Sequence, residues 1–248
     1  MSKRMKENEK KIDKVKLYSL EEAVKILKQS ARVKFDETVE IAVRLGIDPK
    51  QTDQTVRGTV SLPHGTGKTK KVVVIAKGEK VKEAETAGAD FFGSEDMIEK
   101  ISKGWLDFDS IVATPDIMKD VAKLGKLLGP RGLMPNPKTG TVTFEIAKTV
   151  KEIKAGRVEF KNDPQGIIHC VVGKLSFDEN KLVENIKAII SQIVSLKPAS
   201  SKGQYIKSIA ISSTMGPGIK IKEAESGLCS PRLVADPLGS GIGGERSE

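Results

Sequence analysis

The residues best suited to chemistry lie in a stretch rich in glycine and proline, residues 128–143 with the sequence LGPRGLMPNPKTGTVT. Its only charged side chains are Arg131 and Lys138. Glycine adopts backbone angles closed to other residues, and proline blocks helices and central strands. The stretch is therefore predicted to be a long connection, a class that is usually either functional or disordered. Its large aliphatic side chains would anchor it, so it is either a rigid loop that presents two cations to phosphate or an elaborate turn.

A second segment that resembles a phosphate site is residues 65–69, GTGKT, which look like the end of a P-loop. The first glycine of a P-loop would fall at position 62, which is Leu62. A P-loop also follows a strand and opens a helix, whereas here a β-branched run at 72–76 comes directly after the motif. The pattern argues against an NTPase and favours a flexible junction between domains.

Metal and nucleophile chemistry would have to come from two histidines and two cysteines, namely His64, His169, Cys170 and Cys229. The chain has neither HExxH nor CxxC, and the cysteines lack the neighbours of an activated nucleophile. His169 is expected to be a packed or hydrogen-bonded strand residue. No carboxylate lies in a recognisable acid/base context, so we expect no enzyme, no cofactor and no metal.

The 248-residue chain carries a net charge of +9, and the charge is unevenly distributed. Residues 1–34 hold 11 basic and 5 acidic side chains, whereas residues 223–248 hold 2 and 5. A basic excess favours polyanionic partners, nucleic acid first, over the alternative that the charge serves solubility alone. Aromatic residues make up only 4%, which disfavours a base-stacking platform, so that if RNA is the ligand a folded shape is favoured over a splayed single strand. Without a long apolar run, a secretion signal or a disulfide framework, we expect a cytoplasmic protein with no membrane contact.

The hydrophobic pattern changes twice along the chain. An amphipathic helix is predicted at 19–28, and alternating strands at 37–45 and 55–62 are predicted to form a hairpin with one open face. The middle of the chain is predicted to hold buried strands at 72–76 and 111–113, and helices at 79–88, 95–103, 116–127 and 143–154. Alternation then returns, with strands predicted at 166–175 and 205–213 and an amphipathic helix at 178–195.

These changes predict two domains. The fold class is an α+β split domain with an inserted α/β (Rossmann-like, parallel sheet) domain. Residues 1–67 and 158–222 would form the split domain, and residues 68–157 would form the inserted one. The crossings near 64–67 and 156–161 would act as a two-stranded hinge. Residues 223–248 are rich in Gly, Ser and Pro and are expected to be a disordered tail.

A group of small polar residues stands at two ends of the predicted split domain. Gly216 would let an RNA backbone approach closely, and the Thr214 hydroxyl could bond a 2′-hydroxyl or a phosphate. Glu40 would be repelled by phosphate, but it could accept a hydrogen bond from a 2′-hydroxyl or a guanine amine. For Phe35 and Met215, ordinary core filling is the alternative to RNA contact.

The segment LLGPRGLMPNPKTGTV, residues 127–142, resembles the signature of the bacterial-type ribosomal protein L-one family, and the resemblance extends over roughly residues 5–222. The segments FDETVE, STMGP and EFKNDPQGIIH are also similar to family motifs. The resemblance assigns rRNA and mRNA binding to Lys34, Phe35, Thr38, Glu40, Lys161, His169, Ser208, Thr214, Met215 and Gly216. It assigns a loop facing RNA or tRNA to Arg131 and Lys138. Pro164 departs from the expected turn, which leaves the course of the third motif open.

The resemblance implies a structural protein of the large ribosomal subunit that binds rRNA at the mobile stalk beside the tRNA exit site. It also implies help in releasing deacylated tRNA, repression of translation through binding to its own mRNA, and a monomer when free. Two other classes stay open on the residues alone. One is an enzyme with a phosphate ligand on residues 129–140, and the other is a nucleic-acid chaperone that acts by charge.

Overall fold

A computed structural model describes residues 12–13, 16–30, 33–78, 80–201 and 203–222, so the expected tail at 223–248 lies outside the described residues. The strands are β1 (Thr38–Leu45), β2 (Arg57–Ser61), β3 (Val72–Ile75), β4 (Phe91–Gly93), β5 (Ser110–Ala113), β6 (Arg157–Lys161), β7 (Ile167–Lys174), β8 (Ile206–Ser213) and β9 (Ile219–Ile221). The helices are α1 (Leu20–Ser30), α2 (Lys80–Thr86), α3 (Glu95–Ser102), α4 (Met118–Lys123), α5 (Gly125–Leu128), α6 (Ile146–Ala155) and α7 (Glu179–Ser195). Short 3-10 turns cover Thr52–Gln54, Pro115–Ile117 and Pro137–Thr139.

The largest sheet is antiparallel, with the strand order β7-β1-β8-β9. In β1 buried and more exposed residues alternate, because successive side chains of a strand point to opposite faces. The predicted hairpin between residues 37–45 and 55–62 is wrong, since β1 pairs with β7 and β8 whereas β2 pairs with β6. The alternation correctly identified which side of β1 is buried, but it carries no information about which strand lies beside it.

Helices α1 and α7 contribute to the core with that sheet. Ser19 and Glu22 cap α1 reciprocally, since the Ser19 hydroxyl accepts from the Glu22 amide (3.2 Å) and the Glu22 carboxylate accepts from the Ser19 amide (3.4 Å). The apolar stripe of α7 is buried, including Ile186 and Ile189, which are both 0% exposed. The resulting hydrophobic cluster draws its buried residues only from 12–62 and 158–221.

The second sheet is parallel, with the order β4-β3-β5. All four residues of β3 are buried, as its unbroken β-branched sequence predicts for a strand covered on both faces. One face packs against α2 and α6, and the other packs against α3, α4 and α5. Strand β4 escaped prediction because it is three residues long, and the single helix expected at 116–127 is a 3-10 turn followed by two short helices.

The two crossings between these parts of the chain lie side by side. Strands β2 and β6 pair antiparallel, with Ser61 opposite Arg157. Just beyond that pair, a Cβ on Gly156 would collide with the backbone of Gly65, so the two segments approach as closely as glycine permits. The sequence predicted only a crossing near 156–161, and the structure has strand β6 there.

Candidate nucleic-acid interface

The antiparallel sheet has one face buried on α1 and α7 and one face without a covering helix among the described residues. We call the latter the open face. Its residues in β1 alternate with the buried Val39, Ile41, Val43 and Leu45. The open-face residues of β1 are Thr38, Glu40, Ala42 and Arg44.

Cross-strand register brings separate segments together on this face, because directly opposed residues point to the same side. Glu40 lies opposite Val171 on β7 and Ser212 on β8. The next open-face residue of β1, Ala42, lies opposite His169, and Arg44 lies opposite Ser208. The open face therefore carries Glu40, His169 and Ser208 together, although they are up to 168 positions apart in the sequence.

His169 is exposed on the open face, so of the two expected alternatives, a packed or a hydrogen-bonded strand histidine, the packed one is wrong. Its side chain is 57% exposed, and Nε2 lies 3.7 Å from an Asp163 carboxylate oxygen. Lys161 is also exposed, and Lys161 and His169 each lie one residue from the Asn162–Ile168 bridge that joins β6 to β7.

Pro164 fits the turn that follows. The Gly166 amide donates to the Asp163 carbonyl (2.9 Å), and Gly166 has a φ of +73°. Proline is well suited to the second residue of such a four-residue turn, because its φ is already fixed. The question that Pro164 raised about this motif is thus answered by ordinary turn geometry.

One end of the sheet is closed by a turn at residues 214–216, which is tied to the first residue of β1. The Thr214 amide donates to the Thr38 carbonyl (3.1 Å), and the Thr214 hydroxyl accepts from the Thr38 amide (3.0 Å). The hydroxyl also donates to the Thr38 carbonyl (3.3 Å). Thr214 is therefore occupied with holding two chain segments together, a role that residue type alone did not indicate.

Glu37 is a positioning residue that the sequence did not single out for binding. It is 2% exposed, and its carboxylate accepts from the Met215 amide (3.1 Å). The neighbouring Asp36 carboxylate accepts from the Ser176 amide (3.1 Å) and hydroxyl (2.8 Å). A charged residue flanking a strand and facing a turn 178 positions away leaves no local signal in the sequence.

This end of the sheet presents two large apolar side chains to solvent. Phe35 is 54% exposed and Met215 is 46% exposed, so ordinary core filling is wrong for both. Lys34 is exposed beside Phe35. Gly216 packs closely on Ser213, because a Cβ there would collide with the Ser213 hydroxyl oxygen unless that side chain rotated. A cation beside exposed apolar groups on a rigid turn suits contact with the ribose and base edges of a folded RNA.

Further cations border the open face at the β8–β9 side, where the sequence analysis assigned only Ser208. A groove of ≈ 470 Å³ is lined there by residues that include Ser208, Lys207, Lys220 and Lys222. Two sequence signals could have revealed these lysines: the alternation along β8, and the lysine on each side of Ile221. The three-residue strand β9 was, however, too short to predict. Together with Arg44 they give the open face a basic margin.

The loop at 128–143 is ordered by several internal contacts. Leu128 is fully buried, and the Asn136 side chain accepts from the Lys138 amide (2.9 Å). Met134 is 38% exposed and lies against Gly125, so it anchors the loop less completely than Leu128. Arg131 and Lys138 are exposed, and no hydrogen bond or ion pair among the described residues joins them to the open face.

Arg157 fixes this loop to the crossing strands. Its guanidinium donates to the Thr139 carbonyl (2.6 Å) and the Thr59 hydroxyl (3.0 Å), and it forms an ion pair with Glu152 (2.9 Å). These contacts join β2, α6 and the loop through one half-buried side chain. The fork of a guanidinium can satisfy three such partners at once.

Nucleophilic and metal chemistry find no support in the described residues. Burial raises the pKa of the Cys170 thiol to about 11, so the thiol stays protonated and unreactive at neutral pH. No group of three or more His, Cys, Asp or Glu residues in the described ranges could hold a metal ion. Among the same residues, no helix is long and apolar enough to cross a membrane.

Comparisons of the chain with a family model and with individual proteins agree on one family. A model of the ribosomal protein L1p/L10e family matches residues 27–217. The chain is 58% identical over 229 residues to the large ribosomal subunit protein uL1 of Protochlamydia amoebophila (strain UWE25), which covers 92% of this chain and 97% of that protein. It is 57% identical over 223 residues to the large ribosomal subunit protein uL1 of Macrococcus caseolyticus (strain JCSC5402), with 90% and 96% covered.

These matches span all four segments that carried the resemblance, and both relatives are named as ribosomal proteins rather than as enzymes. The chain belongs to the ribosomal protein L1p/L10e family.

Proposed function

We propose that this protein is a structural constituent of the large ribosomal subunit that binds stalk-region rRNA through the open face and the turn at its end. The observation that carries the proposal is the convergence of Glu40, His169, Ser208 and Met215 from distant segments onto one exposed surface. The named relatives support the ribosomal setting. The expected place of action is the cytoplasmic ribosome.

The recognition mode would be shape reading by a preformed surface. At the turn, the Thr214 hydroxyl and the Met215 amide are held in place by internal hydrogen bonds. Little ordering entropy of this turn would then be lost when RNA binds. Glu40 lies among neutral neighbours on the open face, so it would select a ribose hydroxyl or a guanine amine rather than a phosphate.

The chain would act as two domains, residues 1–67 with 158–222 and residues 68–157. Separate hydrophobic clusters support this division, because one draws only on the flanking segments and two draw only on residues 72–153. The split domain would anchor the protein on rRNA. The inserted domain, with Arg131 and Lys138 exposed on its loop, would reach exit-site tRNA and assist the release of deacylated tRNA.

Repression of its own translation would use the same open face, provided that the mRNA presents a shape like that of the rRNA. The free protein would be a monomer. An in vitro translation reporter that carries the protein's own mRNA leader should be repressed by the wild-type protein and not by a variant defective in rRNA binding. Repression by both proteins would contradict a shared site.

The primary test is binding of the full chain to a stalk-region rRNA fragment and to a scrambled hairpin of equal length across a salt series. We expect a marked preference for the stalk fragment that persists at high salt, because counterion release weakens only the ionic part of binding. Equal affinity for both RNAs, lost steeply with salt, would contradict the proposal and favour a chaperone acting by charge.

A matched pair of variants locates the site. Met215→Asp places a carboxylate at the proposed RNA surface and should abolish the preference. Leu127→Asp makes the same change at a side chain of similar exposure, 40%, on α5 and should leave rRNA affinity unchanged. Equal effects of the two variants would contradict this location.

A further inference from the structure

The GTGKT segment lines a cleft that the rRNA surface described above does not include. The cleft has a volume of ≈ 300 Å³ and is bordered by Thr66, Lys68, Thr69 and Lys70 of the crossing segment. Thr38 and Val171 line its other side, and both belong to strands of the antiparallel sheet. The cleft therefore adjoins the end of the open face.

The polar groups in this cleft lack enough protein partners. Thr66 is 6% exposed, and its hydroxyl oxygen is buried without a hydrogen-bond partner among the described residues. Leaving a buried hydroxyl unsatisfied is destabilising, so such a group calls for an explanation. No backbone amide from Thr66 to Lys70 donates to an acceptor within the described part of the chain. The segment thus offers hydrogen-bond donors that the protein itself does not use.

The charge in the cleft favours an anion. Lys70 is partly buried, and its ammonium donates to the Arg157 carbonyl (2.6 Å), which leaves two of its three protons for other acceptors. Burial lowers the pKa of Lys70, the opposite of what a bound anion would do. Lys68 adds a second cation at the rim. Asp109 is the acidic residue of the lining: its carboxylate accepts from the Lys71 amide (3.0 Å), and its negative charge acts on Lys70 to raise the pKa against the effect of burial. Two cations against one carboxylate still leave the lining with a positive balance.

We infer that this cleft binds a phosphate group, and that the phosphate belongs to the backbone of the rRNA on the open face. Thr66 and the free amides would donate to the phosphate oxygens, and Lys68 and Lys70 would balance its charge. RNA that continues past Thr38 would pass the mouth of the cleft. The inference rests on the proposed rRNA binding and adds to it a contact at the junction between the two parts of the chain.

Two variants of the full chain test the cleft. Thr66→Val removes an unpartnered hydroxyl while keeping its shape, so the fold should be retained, and Lys68→Gln removes one charge. Each should weaken binding to the stalk-region rRNA fragment by about five- to tenfold, the usual range for one lost polar contact. Lys68→Gln should also reduce the slope of log affinity against log salt by about one, as expected for one lost phosphate contact.

Matched controls come from elsewhere in the chain. Thr114→Val removes another buried hydroxyl that has no partner among the described residues, and Lys187→Gln removes an exposed charge on α7, which packs under the opposite face of the sheet. Both control variants should bind rRNA as the wild type does. Circular dichroism of all four variants checks that the fold is retained.

A parallel titration with inorganic phosphate separates the two sources of a phosphate group. If Thr66→Val abolishes phosphate binding but leaves rRNA affinity and salt slope unchanged, the cleft takes a free anion and the RNA assignment is overturned. Unchanged binding of both ligands overturns the site altogether. If Met215→Asp still weakens rRNA binding in either case, the proposed function survives and only this inference fails. Absence of any rRNA preference in the wild type removes both.

Discussion

Asn185 joins the crossing segment to the core of the antiparallel sheet. It is fully buried on α7, and its side-chain amide donates to the carbonyls of Val172 (2.8 Å) and Gly65 (3.1 Å). Its side-chain oxygen accepts from the His64 amide (3.2 Å). One amide side chain therefore joins residues 64 and 65, where the chain passes into the inserted segment, to Val172 of the sheet through three hydrogen bonds.

Replacing Asn185 by leucine keeps the number and branching of the heavy atoms and removes all three bonds. The Val172 carbonyl is buried, so losing its partner should cost about 1–3 kcal/mol. The His64 amide and the Gly65 carbonyl are only partly buried and can recruit water, so each should cost about 0.5–1 kcal/mol. We expect the free energy of unfolding to fall by about 2–5 kcal/mol.

Urea unfolding followed by two signals tests this value. Far-UV circular dichroism reports the whole chain, whereas the single Trp105 lies among the clusters of the inserted segment and reports only its surroundings. If the proposed domains unfold separately, Asn185→Leu should shift the dichroism transition and leave the fluorescence midpoint in place. The control Asn180→Leu, at an exposed residue of the same helix, should change either signal by less than about 0.5 kcal/mol.

An unchanged dichroism midpoint in Asn185→Leu would refute the assignment of these hydrogen bonds as stabilising. An equal shift in both signals would instead show one cooperative unit, and would refute the division into two domains. The two failures are distinguishable because each concerns a different signal.

Three further changes have defined outcomes. Arg157→Lys cannot reproduce the guanidinium fork, so amide hydrogen exchange around Thr139 should accelerate about tenfold, the equivalent of 1.4 kcal/mol. Unchanged exchange protection, measured by mass spectrometry, would contradict the role of Arg157 in fixing the loop. Gly216→Ala forces a Cβ against Ser213 and should lower both thermal stability and rRNA affinity, whereas Gly218→Ala, which meets no atom, should change neither. The pKa of Cys170 is raised from 9.0 to about 11, so the stability that the protonated thiol contributes is complete below pH 9 and is lost as the pH rises toward 11. Cys170→Ala should therefore remove the loss of stability between pH 9 and 11 that urea unfolding measures for the wild type.

Sequence periodicity predicted which side chains of a strand are buried, but it did not predict which strands pair. The alternation in 37–45 identified the buried side of β1 correctly, and the β-branched run at 72–76 identified a strand covered on both faces. The hairpin prediction failed because β1 pairs with strands that lie more than 120 positions further along the chain. Period 2 is common to all antiparallel strands and does not encode the neighbour.

Side-chain type was a poor guide to exposure at the end of the sheet. Phe35 and Met215 are apolar, and burial is the usual fate of such residues, yet both face solvent. Glu37 shows the reverse, since an acidic residue is buried to hold the Met215 amide. Neither outcome follows from local pattern, because each depends on a turn and a strand that meet only in the folded chain.

The geometry of Thr214 changes how its part in binding should be understood. Its hydroxyl has one proton and two lone pairs, and it uses the proton and one lone pair on the backbone of Thr38. Only one lone pair then remains for a donor, so this side chain cannot donate to an RNA phosphate without breaking the bond that places the turn. Its main effect is therefore to hold the turn that carries Met215 and Gly216. Under the proposed rRNA binding, direct contact would then fall to Met215, Phe35 and the open-face residues.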